Sequence, residues 1–407
     1  MKSRIAPVFA LAIAALAVSP LGQSQESNAK PSTPPIRHKV LYYHPSKPPM
    51  TAEDRDLVMS QAALSQTIPL WNYSTVAAQD GATYTGMMVG RSPFAHGHRI
   101  TTIPTYLVPV ILTFQDTGEV FDPTTYDGCA PASESVITLI KNSPLIGTPN
   151  FTMNGVNVGV GQYLDEFQRA NFWAKVGGTP YHTIFSTNPP VLAAVHVTVP
   201  TADGQTDPKA NFGGCMDIGL MDQAWWDNEV QTVIFPALAA EGVGPANFPQ
   251  FIFDSVAMYI GNTSNCCVMG YHNSFSNGGV FQTYSVNNYD NSGAFGGINT
   301  SVMSHELAEW LNDPNGSNPV PAWGAEGQQS GCQGNLEVGD PLSPGFGTPT
   351  NPYMITNTTT GVTYTLQELA FYSWFLGSTP SLGAGGKFSD NGTFSGYSKT
   401  CPPGGTN

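Results

Sequence analysis

The order of elements between residues 249 and 314 constrains this chain more than anything else in it. "PQFIFDSVAMYIG", "CCVMGYH" and "VFQTYSVNNY" are rich in aromatic and β-branched residues and end in turn residues, so each predicts a strand. "TSVMSHELAEWLNDP", residues 300–314, follows them with apolar residues at three-to-four spacing and predicts a helix. Upstream, "YLVPVILTF" and "VLAAVHVTV" read as buried strands, and helices are expected at "SESVITLIKNS", "VGQYLDEFQRANFWAKV" and "MDQAWWDNEVQTVIFPALAA". Near the end, "PYMITNTTTGVTYTL" is a hairpin around a Thr-Gly turn. Such mixed order predicts an α+β domain with many long Gly, Asn and Pro loops.

The chain begins with "MKSR" and the apolar run "IAPVFALAIAALAV", which has the length of an export signal rather than of a bilayer span. The expected division is a signal peptide over 1–25, a flexible Pro-rich leader over 26–38, an N-terminal portion over 39–100 that is a candidate pro-segment, and a metal-binding domain over 101–407. No later run is apolar and long enough to span a membrane, so a secreted or periplasmic/extracellular protein without stable membrane insertion is expected. The six cysteines suit an oxidising compartment; adjacent Cys266 and Cys267 are expected to pair with two distant partners. With 15 basic against 29 acidic residues and a net charge of -14, the chain repels nucleic acid and anionic membranes. The sequence sets no oligomeric state.

On the 300–314 helix, Thr300 or Ser301 can cap the start, and Asn312, Asp313 and Pro314 stop the end. At 100° per residue, Met303, Leu307, Trp310 and Leu311 form one stripe toward the core. His305 and Glu309, four apart, fall together on the opposite side, with Glu306 at one edge and Asp313 a turn further on. This spacing lets His305 and Glu309 reach one metal ion while Glu306 handles a water. His272, at the end of a predicted strand, can enter the same cleft as a ligand or an oxyanion donor. Tyr289 and Asp290 lie where an edge strand would meet substrate, whereas His96 and His98, two apart around a glycine, read as a loop. The adjacent carboxylates Asp165 and Glu166 point to different sides of a core-packing helix. Trp225 and Trp226 read as core anchors, although a carbohydrate platform is the alternative use of such a pair.

"HELAE" resembles the zinc helix of the zincin metallopeptidases, whose H-E-x-x-H supplies two ligands and a general base, with Glu309 in place of the second histidine. The resemblance implies that His305 is a ligand and Glu306 the base. It implies a third ligand from a downstream glutamate, Glu337 in "GNLEVGDP", with Asp313 or Asp340 as substitutes. Residues 300–341 are also similar to the plant Exordium or phosphate-induced extracellular proteins through "HELAE", "AW" and "EVGD". The implied fold is a zincin-like mixed sheet with an active-site helix. The implied activity is that of an exported metal-dependent peptidase acting on a peptide or protein. A non-catalytic extracellular or cell-wall-associated binding protein that keeps the framework is the alternative. Zinc is the expected cofactor, and carboxylate-rich ligation brings manganese or calcium into range while leaving a bound water less acidic.

Overall fold

The structure, a computed structural model, describes residues 47–394 apart from 96–98, 148, 154, 296–297, 325–331, 344–352 and 393. The export signal, the leader, His96 and His98 therefore lie outside the described residues. The elements that position the site are α1 (Ala52–Ala63), β1 (Leu70–Val76), β2 (Thr83–Val89), β3 (Thr105–Phe114), β4 (Val120–Phe121), α2 (Tyr163–Asn171), β5 (Val195–Val199), α3 (Gln223–Glu229), β6 (Phe248–Asp254), β7 (Gly270–Asn277), β8 (Val280–Tyr289), α4 (Ser301–Asn312), β9 (Tyr353–Asn357) and β10 (Thr363–Leu366).

The principal sheet runs β7-β8-β6-β3-β4, with β5 also paired to β3. It is mixed: β8, β6, β3 and β5 run parallel, while β7 is antiparallel to β8 and β4 to β3. Every residue of β6 is buried, as an apolar run flanked on both faces requires. Alternation along this strand sends Phe248 onto Trp310 of α4, with ring centroids 3.6 Å apart. It sends Phe253 to the other face, 5.0 Å from Trp226 of α3. The sheet thus lies between two helical layers, and the fold class is α+β.

Several expected elements are altered by the backbone. "PQFIFDSVAMYIG" makes two strands because Ser255 takes a left-handed φ of 52°, which turns Val256–Tyr259 into a second sheet. "CCVMGYH" is divided in the same way between Cys266–Val268 and β7. "VLAAVHVTV" is regular only from Val195, while "PYMITNTTTGVTYTL" makes the antiparallel pair β9–β10. Cys266 and Cys267 do not take distant partners: they are joined to each other across a cis peptide bond, with Cα atoms 3.0 Å apart. Cys129 pairs with Cys215, and Cys332 is also disulfide-bonded. Tyr289 and Asp290 end an inner strand and are buried, so they do not lie on an edge open to substrate; the edge next to β8 is β7.

The N-terminal portion folds by ordinary rules. Thr51 caps α1, its hydroxyl accepting from the Asp54 amide at 3.1 Å. Gln61 then clamps the β7–β8 turn, donating to the Gly279 carbonyl at 2.9 Å and accepting from the Phe281 amide at 3.1 Å. Val58, Leu70, Trp71 and Met88 share one apolar core with Leu307 and Trp310 of α4. Trp226 is fully buried and Trp225 packs beside it, while Leu164 and Phe167 bury the apolar face of α2. Among the described residues no helix is long and apolar enough to cross a membrane.

One buried acid makes the fold sensitive to pH. The Tyr163 hydroxyl is 2.6 Å from the Gln367 carbonyl and also donates to Asp390 Oδ2. Burial and neighbouring Glu368 raise the Asp390 pKa to about 7, against the pull of the Leu369 amide and Tyr163. An acid whose folded pKa lies above its unfolded value stabilises most below the unfolded value, and the benefit is lost as pH rises through 7. Denaturant titrations are expected to show wild type losing roughly 2–4 kcal/mol more than Asp390→Asn between pH 4 and 7.5. Equal losses would remove Asp390 as the cause.

Candidate metal centre

Three segments bring the site together. His272 comes from edge strand β7, whose residues 270, 272 and 274 face α4; a side chain at Gly270 would press on Val302 and Glu306, at 2.8 and 3.1 Å. Helix α4 brings His305, Glu306 and Glu309 and ends at Asp313, whose amide still bonds the Glu309 carbonyl at 2.6 Å. The segment after Asn335 brings Glu337, Gly339 and Asp340 onto the far side of the helix. Helix α4 is buried along its entire length, so its acidic face is not solvated. Thr300 occupies the cap position but gives its hydroxyl to the Thr365 carbonyl at 2.9 Å, tying the helix start to β10.

Two donor groups meet at Glu309. His305 Nε2 lies 3.1 Å from Glu309 Oε2 and 3.6 Å from Asp340 Oδ1. His272 Nδ1 lies 3.5 Å from Glu306 Oε2 and 4.0 Å from the same Glu309 oxygen. Within each group the donor atoms lie within 4.8 Å of one another, so these buried residues could hold a metal ion. Ligands sharing a tetrahedral zinc are separated by about 3.3–3.6 Å, and three of these four distances are close to that range. The other Glu309 oxygen is held by the amides of Gly339 and Asp340, at 3.1 and 3.3 Å.

Both histidines are oriented by what lies behind them. His272 Nε2 is 3.2 Å from the Asp313 carbonyl, which only accepts, so Nε2 donates there and Nδ1 faces Glu306 and Glu309. Gln367 Nε2 donates to the Gly339 carbonyl at 2.5 Å, which turns its Oε1 toward His305 Nδ1 at 3.2 Å. That fixes a His305 proton on Nδ1 and turns Nε2 to Glu309 and Asp340. A lone pair facing a carboxylate is repulsive until a proton or a metal ion lies between them. His272 Nδ1 and both Glu306 oxygens are buried without a hydrogen bond.

The charge balance makes the same demand. Five carboxyl groups, Glu306, Glu309, Asp313, Glu337 and Asp340, surround two imidazoles, all buried. Burial raises the Glu306 pKa, and burial together with Glu309, Asp313 and Asp340 raises that of Glu337 well above the carboxylate range. Burial lifts Asp313 to about 7, against the pull of the Asn318 amide. Burial opposes charge on His305, but Glu309, Glu306 and Asp340 outweigh it and hold its pKa near 9. Without a cation the cluster must retain protons; a divalent ion can replace them.

Of the residues singled out in the sequence, His305, Glu309 and Asp340 meet in one group, and His272, Glu306 and Glu309 in the other. Glu337 packs behind Glu309 and accepts from Asn335 Nδ2 at 2.5 Å. Asp313 turns its Oδ2 to the Asn318 amide at 2.6 Å and offers its carbonyl to His272. Sequence reasoning missed Gln367 and Gly339. The only signal for Gln367 was a polar residue directly after the strand-like run "TYTL". Elsewhere, Asp165 Oδ2 is 2.5 Å from His182 Nδ1, and with Glu166 these residues form a third, more exposed group that could hold an ion. No protein-family model matches this chain, and no curated protein or solved structure is significantly similar to it.

Gln367→Ala should weaken metal binding about 10–100-fold, the usual effect of losing a group that orients a ligating histidine. Titration of the chelator-stripped protein with zinc measures it, and an unchanged affinity would show that the Gln367 contact has no such role. A side chain at position 339 would lie 2.3 Å from His305 Nδ1. Gly339→Ala should therefore displace the imidazole, lowering both metal content and thermal midpoint.

Proposed function

We propose that this chain is an exported, metal-dependent peptidase of zincin-like architecture. The observation that carries the reading is the pair of imidazole nitrogens, His305 Nε2 and His272 Nδ1, both facing carboxylates on one buried helix. His305, Glu309 and Asp340 would hold the ion, with His272 and Glu306 facing it from the β7 side. An imidazole donor favours zinc over calcium, which takes oxygen ligands, and leaves manganese as the alternative. When bound, the ion supplies Lewis-acid polarisation and a more acidic water. With an ion held there, Glu306, neither of whose oxygens has a hydrogen bond, would take a proton from a water and return it to the leaving amine. A carboxyl group whose pKa is raised by burial suits this exchange better than an ordinary glutamate. His272, held through Nε2 by Asp313, keeps Glu306 in place from the opposite side.

The depth of the site favours a second reading, a binding protein in which the ion is structural: His305, Glu306 and Glu309 are at most 2% exposed. One variant separates the two. On the peptidase reading, Glu306→Gln keeps about the wild-type metal content by plasma mass spectrometry and loses about 10²–10⁴-fold in peptide hydrolysis. If the metal-loaded wild type cleaves nothing in a peptide library, the catalytic reading fails and the structural one stands.

A further inference from the structure

Strand β7 has a second set of partners just beyond His272. Lys47 crosses its edge and donates from Nζ to the Ser274 carbonyl at 2.6 Å and to Ser274 Oγ at 2.8 Å. Ser274 Oγ in turn donates to Asn315 Oδ1 at 2.7 Å, just after α4. On the opposite face of β7, Asp227 of α3 accepts from Tyr271 at 2.8 Å and from Asn273 at 3.3 Å, and it also bonds Tyr284. Asp313, which holds His272, lies on the α4 face. An ammonium at Ser274 is therefore bound directly by two oxygens and lies in the field of one carboxylate on each face of the sheet. Burial lowers the Lys47 pKa to about 8, and Asp227 and Asp313 oppose that fall. A buried lysine held mainly by neutral oxygens is weakly neutralised and can exchange for another ammonium.

We propose that the carbonyl and hydroxyl of Ser274, lying in the field of Asp227 and Asp313, form a binding subsite for a lysine side chain next to the metal centre, and that Lys47 fills it from within the chain. Its use in substrate selection rests on the peptidase reading above; its occupancy by an ammonium does not. Ser274 and His272 are two residues apart on the same face, about 7 Å along the strand. A peptide lying on this edge would thus place its lysine about two residues from the bond at the metal centre. Lys47 holds that place, so its side chain competes with a substrate lysine.

The test compares peptide binding to Glu306→Gln, which blocks turnover, with and without Lys47→Ala. The probes are fluorescently labelled Ala-Ala-Lys-Ala-Ala and its norleucine analogue, read by anisotropy on zinc-loaded protein. The double variant is expected to bind the lysine peptide at least about tenfold tighter than the single variant does, and at least tenfold tighter than it binds the norleucine peptide. Equal binding in the two backgrounds, or equal binding of the two peptides, overturns the subsite. If Lys47→Ala is unfolded by circular dichroism, Lys47→Met takes its place with the same expectation, since it keeps the apolar stem and loses the ammonium. Lysine-selective binding without hydrolysis by Lys47→Ala would leave the subsite standing and remove the peptidase. Hydrolysis without lysine preference would do the reverse.

Discussion

The structure is organised around a charge problem: five carboxyl groups and two imidazoles buried together on and around one helix. Ionised carboxylates out of water repel one another and lose hydration, so the cluster persists only with protons or a cation among them. Most of the local architecture can be understood as a response to this. The Gly339 and Asp340 amides satisfy one oxygen of Glu309, the Asn318 amide one oxygen of Asp313, and Asn335 one oxygen of Glu337. The remaining carboxylate oxygens of Glu306 and Glu309 face the imidazole nitrogens. Polar groups this deep are tolerated when each has a partner, and the partners here come from segments far apart in the chain.

The apolar framework makes that concentration of charge affordable. Trp310 stacks on Phe248 with Phe185 beyond it, and Met303, Leu307 and Leu311 complete the face of α4 that meets the core. On the other side of the sheet, Trp226 and Phe235 pack on Phe251 and Phe253. Large aromatic burial on both faces anchors β6, and through it β8 and β7, so that His272 is presented at a fixed height over α4. The clamp of Gln61 on the β7–β8 turn and the two hydrogen bonds between the Asn318 side chain and the Met87 backbone tie the N-terminal elements to the same frame.

A good part of this could be read in advance. The strands at 106–114 and 280–289, the helix at 301–312 and the terminal hairpin follow from periodicity and turn residues, because those signals are local. The division of 249–261 between two sheets was hidden, since one left-handed residue, Ser255, decides it and serine is no marker for that conformation. Tyr289 and Asp290 were misplaced for a related reason: sequence order does not say which strand is inner. The vicinal pairing of Cys266 and Cys267 was hidden too, since six cysteines allow 15 pairings and composition does not choose among them.

The sequence by itself determined that His305 and Glu309 share one side of a helix and that Met303, Leu307, Trp310 and Leu311 share another, since α-helical periodicity is a property of the chain alone. Only the tertiary structure decided that the polar side is buried rather than solvated, that Asp340 rather than Glu337 faces His305, and that His272 closes the cluster from an edge strand. It also decided which nitrogen of each ring faces the carboxylates, because that depends on Asp313 and Gln367, 41 and 62 residues away along the chain. The direction of a lone pair is set by what the opposite nitrogen bonds, and no spacing rule reaches that far.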